Sequence, residues 1–354
     1  MDQEAKNTPQ ATPAVSVPKK NNKLFVYAGA AVGVLIVAAL GFYFLFIQAP
    51  KGSEKVYHVG VLNALDYFGP AVDGFKSKMT ELGYVEGKNI IYDIEKGAAP
   101  VGNQTIIKKF VDDHVDLIVA FPTEASLEAK EGTKGTSIPV ISIAASTEDT
   151  GLIESVQHPG GNLTGVRFPI PEVAAKRLEI LHELVPKAKH IWVPYLKDYP
   201  TIPVGLGALE ELTKEYGITI TAVPFATPDE MASYLAAHEK QPGIDAVLTI
   251  PEPLSILPPF INQIYAFADA HNIPVAGAEV LETGGGPIFS LIPNASTMGT
   301  LAAPLADKIF KGADPGTIPI VTSSSVFEIN YTRIQELGLT VNESLLSTAD
   351  KIIH

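Results

Sequence analysis

Polar and aromatic side chains end or follow six apolar runs of this sequence, and their chemistry is that of grip rather than of reaction. Asn63, Asp66 and Tyr67 end or follow HVGVLNA, Thr123 and Glu124 follow DLIVAF, and Ser146 and Thr147 follow IPVISIA. Tyr195 follows HIWVP, Glu252 follows AVLTIP, and Glu279 follows IPVAGA. A carboxylate so placed holds an ammonium, and a tyrosine ring stacks on an aromatic or cationic group. A hydroxyl at a helix start, with the free N–H groups there, receives a carboxylate. Thr123 is placed to cap a helix, and Ser146 and Thr147 stand near a second expected helix start. Singly, each is equally a helix cap, a solvated loop acid or a core-edge tyrosine. Their joint placement at strand ends carries the argument.

Reactive constellations are missing. The chain has no cysteine, which removes disulfides, thiolate metal sites and cysteine nucleophiles. Its eight histidines (His58, His114, His158, His182, His190, His238, His271 and His354) are scattered, with none paired at metal-ligand spacing. The first strand runs into VGVLNALDYFGPA, one glycine where a dinucleotide loop needs three, and Gly160-Gly161 lacks the lysine of a phosphate loop. Neither HExxH nor GxSxG occurs. An enzyme is not expected, nor a cofactor or metal. The net charge of −13 argues against nucleic acid, which needs clustered Lys and Arg.

The elements that must position these residues alternate. From Val56, strands HVGVLNA, NIIYDIEKG, DLIVAF and IPVISIA are separated by helices AVDGFKSKMTELG, NQTIIKKFVDDH and EASLEAKEGT. Near-continuous apolar strands in such an order predict a parallel sheet covered on both faces. After Pro-Gly-Gly-Asn (159–162) and LTGV the pattern restarts with AAKRLEILHELVP, HIWVPYL, GALEELTKEYG and ITITAVPF. PDEMASYLAAHEK, DAVLTI, PFINQIYAFADAHN and IPVAGAE continue it. The reading is two doubly wound α/β lobes joined by a multi-strand hinge at Gly165, Val166 and Arg167. Lobe 1 spans 56–166 and is completed by about 287–320. Lobe 2 spans 167–286 and is completed by about 321–354.

Leu24 to Ile47 form 24 residues without a charge, preceded by Lys19, Lys20 and Lys23. At 1.5 Å per residue a helix of this length crosses a hydrocarbon core of about 30 Å. The lysines place the tail, residues 1–23, in the cytoplasm. A cleaved signal peptide is the competing reading; its apolar core is shorter, about 7–15 residues. The expectation is an uncleaved transmembrane anchor at 24–48, a polar linker at 49–55 and an extracytoplasmic remainder.

Four segments resemble one family. ELGYVEGKNI (81–90), HPGGNLTGV (158–166), RLEILHELVPKAKHI (177–191) and FEINYTRIQELGLTVNESLL (327–346) look like the ABC transporter substrate-binding proteins of the tryptophan/tyrosine type. The resemblance implies a type I periplasmic-binding fold. It also implies a receptor that captures a small solute, often an aromatic amino acid, and hands it to a permease driven by an ATPase. It implies binding roles for Thr123, Tyr195 and Glu279. This sequence departs from the family at Pro122, at Ser146-Thr147-Glu148-Asp149 and at Pro251-Glu252-Pro253, all in ligand loops. The alternative is a ligand-sensing receptor that signals through a separate partner chain.

Overall fold

The computed structural model describes residues 36–39, 55–98, 102–240, 242–277, 279 and 285–354. Contacts divide the chain between Lys55 and Val56, and the α/β architecture lies in Val56–His354. The anchor and tail expected from the sequence lie outside the described residues, apart from helical Ile36–Ala39. Among the described residues no helix is long and apolar enough to cross a membrane.

Two sheets form the body. The first contains β1 (Tyr57–Asn63), β2 (Ile90–Lys96), β3 (Leu117–Phe121), β4 (Val140–Ala145), β5 (Leu163–Arg167) and β11 (Val321–Thr322), in the order β11-β5-β4-β3-β1-β2. All its pairings are parallel. β3 and β4 are buried at every residue, so they read as solid apolar runs without alternation. The second contains β6 (His190–Leu196), β7 (Thr219–Phe225), β8 (Ala246–Leu248), β9 (Val275–Gly277), β10 (Phe289–Pro293), β12 (Ser325–Asn330) and β13 (Lys351–Ile353). Its order is β13-β12-β10-β9-β8-β6-β7, and β10 pairs antiparallel with β12. The expected two-lobe α/β fold is present, with that one antiparallel pairing added.

The helices are α1 (Gly69–Glu81), α2 (Gln104–Asp112), α3 (Thr123–Gly132), α4 (Ile170–Leu184), α5 (Ile202–Gly207) and α6 (Glu210–Tyr216). They continue with α7 (Pro228–His238), α8 (Pro258–Ala270), α9 (Ala295–Phe310), α10 (Tyr331–Glu336) and α11 (Glu343–Ser347). Helix α4 begins at Ile170, four residues before the sequence pattern suggests, because Pro171 sits in its first turn where no N–H is needed. Helix α9 returns to the first lobe and crosses α1 so closely that a Cβ on Gly299 would lie 1.8 Å from the Ala71 carbonyl oxygen. Only glycine permits that approach.

The chain passes between lobes three times: at Phe168–Pro169, at Asn294, and at Ser323–Ser324. Strand β10 belongs to the second sheet, so residues 289–293 part from the segment 287–320 that the sequence assigned to lobe 1. The expected hinge residues lie earlier than the first crossing. Gly165 and Val166 are interior to β5, where a Cβ on Gly165 would meet the Ser142 carbonyl oxygen at 2.1 Å. Arg167 ends the strand. Its Nε donates to Thr322 Oγ1 and its carbonyl accepts from Ser323 Oγ, lacing the first and third crossings together.

Candidate functional site

The strand ends of the two sheets face one another across a cavity of about 450 Å³, open solvent at its mouth included. From lobe 1 come Leu65, Tyr67 and Phe68 after β1, Pro122 and Thr123 after β3, and Ala144 of β4. Lobe 2 supplies Tyr199 and Thr201 after β6, Pro251, Glu252, Pro253, Ser255 and Ile256 after β8, and Ile292 of β10. Phe168 and Ile170 at the first crossing complete the wall. This is the carboxyl-end crevice where open α/β sheets bind ligands.

Glu124 is buried in the first turn of α3, 3 % exposed. Its Oε2 accepts from the Tyr199 hydroxyl at 2.6 Å, a contact that joins the two lobes. Its own backbone N–H also lies against the carboxylate. Burial raises its pKa to about 7, an effect the Tyr199 bond opposes. Glu252 is 7 % exposed and caps the short turn Pro253–Ser255; its Oε2 accepts from the N–H groups of Leu254 and Leu196. Burial drives its pKa to about 8 against those bonds and the charge of Arg177. Arg177, on α4, is fully buried. Its guanidinium donates to the carbonyls of Leu291 and Thr249, and burial lowers its pKa to about 10. Three oxygens of this region lack a hydrogen-bond partner: Glu124 Oε1, Glu252 Oε1 and Thr201 Oγ1. Buried polar atoms are rarely left so.

The expected site residues divide. Tyr67, Thr123 and Glu252 line the cavity, and Glu124 stands beside it. Thr123 does not cap its helix: Pro122 holds the cap position, and the Thr123 hydroxyl accepts from the Ser146 N–H at 2.9 Å. No helix follows β4. Ser146 and Thr147 instead turn their hydroxyls to the Glu148 carboxylate, which also takes the Thr147 N–H. Asp66 is exposed and paired with Lys96 at 2.7 Å. Asn63 lines a separate groove beside Lys96 and Ile256. Glu279 is exposed and faces an outer groove with Asp66 and Tyr67. There the Tyr67 hydroxyl bonds Glu279, and burial followed by that carboxylate's charge raises the phenol's pKa. Tyr195 lies within β6 and packs on the main core, away from the cavity.

Sequence reasoning missed Tyr199, Thr201 and Arg177. The signal for the first two was KDYPT, a polar turn directly after a strand, with Asp198 in the left-handed region at φ 59. Among the described residues, no three His, Asp or Glu side chains converge as metal ligands.

The family model of the ABC transporter substrate-binding proteins matches residues 61–353. A tyrosine-binding protein of Clostridioides difficile (strain R20291) is 26 % identical over 306 residues, covering 84 % of this chain and 82 % of that protein. Two solved structures share the fold. One is an ABC domain in complex with L-Trp from Streptococcus pneumonia, with TM-score 0.73 and 22 % identity, covering 84 % of this chain and 100 % of that one. The other is the ligand-free, open structure of a substrate-binding protein with adhesive properties from Clostridium difficile, with TM-score 0.63 and 24 % identity, covering 84 % and 99 %.

Proposed function

The chain belongs to the ABC transporter substrate-binding proteins, and on that premise we propose that it captures a small nitrogenous solute for an importer by closing its two lobes. Thr123 and Glu124 grip from one lobe, Tyr199, Thr201 and Glu252 from the other, and the aromatic rings of Tyr67, Phe68 and Phe168 hold the ligand's body. A ligand that touches both lobes favours closure by its differential affinity for the closed arrangement. The closed surface is then what a permease and its ATPase read. The apolar run 24–47 tethers the receptor to the membrane, with the tail inside and the binding lobes outside.

One observation carries this reading: both lobes line one cavity, where Thr201 and Glu252 of lobe 2 each hold a buried oxygen without a partner and Tyr199 of the same wall bonds Glu124 of lobe 1. The names of relatives that bind tyrosine and L-Trp support an aromatic amine-bearing solute. The test is a thermal-shift and calorimetric screen of aromatic amino acids and their amines on the full chain in detergent. Ligand at 100 times its dissociation constant adds about 2.7 kcal/mol of stability. A screen in which nothing raises the melting temperature overturns the assignment.

A further inference from the structure

Tyr67 borders three spaces at once. It lines the inner cavity of about 450 Å³, the outer groove of about 1240 Å³ that holds Glu279, and a second groove of about 1080 Å³ beside Lys96 and Pro258, each counted with its open solvent. Among the described residues no other lines all three. Three neighbours share the boundary in part. Leu65 of lobe 1 and Ile256 of lobe 2 face both the inner cavity and the second groove, and Ile292 of β10 faces the inner cavity and the outer groove. At these points the partition is one residue thick.

The phenol is fixed at both ends. Its residue sits in the short turn Asp66–Phe68, which runs directly into α1 and is closed by the Phe68 N–H on the Leu65 carbonyl at 3.0 Å. The ring meets that of Phe68 edge-on at 5.2 Å, and Phe68 in turn stacks on Phe121 of β3. The Tyr67 hydroxyl bonds Glu279, which follows β9 in the other lobe. A ring rooted in lobe 1 and tied to lobe 2 does not swing aside without breaking that bond. Ligand pockets commonly enclose about 300–1,000 Å³, so the inner cavity stands at the small end of that range even with its mouth counted. A single aromatic amino acid needs the inner space alone. A ligand longer by one residue has to pass the place that Tyr67 fills, and steric conflict with a pinned group is the repulsive side of specificity.

We propose that Tyr67 determines the length of the solute: its ring ends the inner cavity, so the receptor takes a free aromatic amino acid and excludes a peptide that contains it. The inference rests on the solute-receptor reading and adds a limit on ligand length. Calorimetry on the full chain in detergent compares L-tyrosine and L-tryptophan with the four dipeptides that join each to glycine at one end or the other, and thermal unfolding checks folding. Wild type should bind an amino acid more tightly than either of its dipeptides by about a hundredfold or more. Tyr67→Ala joins the three spaces, and for one end of the ligand that ratio should fall by about tenfold or more, whatever the lost ring costs the amino acid itself. Tyr67→Leu, shorter than the phenol and still apolar, makes the same test if the alanine variant does not fold. Wild type that binds dipeptides as tightly as amino acids overturns the proposal. So does a variant that weakens or abolishes binding of both kinds alike, which would reduce Tyr67 to a stacking contact. Either result leaves the receptor reading standing. Absence of heat and melting shift with all six compounds, in wild type and variants, overturns both.

Discussion

Two acidic regions meet at the same interlobe opening and behave differently. The outer groove, about 1240 Å³, has Asp66, Glu279 and Glu328 in its wall. Asp66 there pairs with Lys96 through side chains 80 % and 77 % exposed. The inner cavity, about 450 Å³, has Glu252 in its wall and Glu124 beside it, nearly stripped of water. Water solvates the outer carboxylates at little cost. The inner ones have lost it and take hydrogen bonds from Tyr199, Leu196 and Leu254 in part exchange. The same residue type is therefore solvated surface in one place and nearly water-free in the other.

The largest contrast is between the cations of the two regions. Arg177→Met removes the buried positive charge behind Glu252 and strips donors from the carbonyls of Thr249 and Leu291. Leaving the buried carbonyls of Thr249 and Leu291 without their donors costs about 1–3 kcal/mol each, so chemical denaturation should show a loss of about 2–6 kcal/mol. A loss below about 1 kcal/mol would mean the inner region is as well watered as the outer one.

Acid should stabilise the ligand-free protein through the inner carboxylates. Below about pH 4.5 Glu252 is protonated in folded and unfolded chains alike, and its contribution to stability is complete. Between there and its folded pKa of about 8, the folded protein holds a proton that the unfolded chain has released. Stability therefore falls across that window as pH rises, and Glu124 does the same up to about 7. The charged or titratable groups facing Glu252 are Arg177 and Tyr199; those facing Glu124 are Tyr199 and Glu128. Each unit of displacement corresponds to about 1.4 kcal/mol. The stabilities of wild type and Glu252→Gln should accordingly diverge by roughly 4 kcal/mol between pH 5 and pH 8.5. Parallel curves would place water against Glu252.

Tyr199→Phe tests the contact between lobes. It deletes the hydroxyl that reaches Glu124 and nothing else, at a cost of about 1–2 kcal/mol to this arrangement of the lobes. Small-angle scattering of the ligand-free variant should show a larger radius of gyration than wild type. An unchanged radius would show that apolar contact alone holds this arrangement.

The fold was more legible than the site for a physical reason. Burial on both faces writes itself into consecutive residues, as in LIVAF of β3 and VISIA of β4, and chain reversals announce themselves at Gly83 and Gly217. The restart after Pro-Gly-Gly-Asn likewise marks the passage from the first sheet to the second. Glu252 and Thr123 were readable because they directly follow apolar runs. Tyr195 was misleading because its place in β6 turns it onto the core, while Tyr199 reaches the cavity through a turn of left-handed backbone that no periodicity encodes. Arg177 was invisible: on a helix written AAKRLEILHEL it reads as solvated, and only the sheet geometry reveals carbonyls waiting for it.

The smallest expected effect belongs to the outer groove and bounds the comparison from the other side. Asp66→Asn breaks the pair with Lys96, but both side chains remain in water. Exposed pairs contribute only a few tenths of a kcal/mol, and salt screens them within about 8–10 Å. Stability should change by less than about 0.5 kcal/mol, and solute affinity by less than about twofold, with even that difference vanishing in high salt. The effect of Glu252→Gln should survive the same salt, because the cavity that surrounds it excludes the screening ions. If Asp66→Asn weakened binding as much as Glu252→Gln, the ligand's ammonium would sit at the mouth, and depth would no longer distinguish the two carboxylate sets.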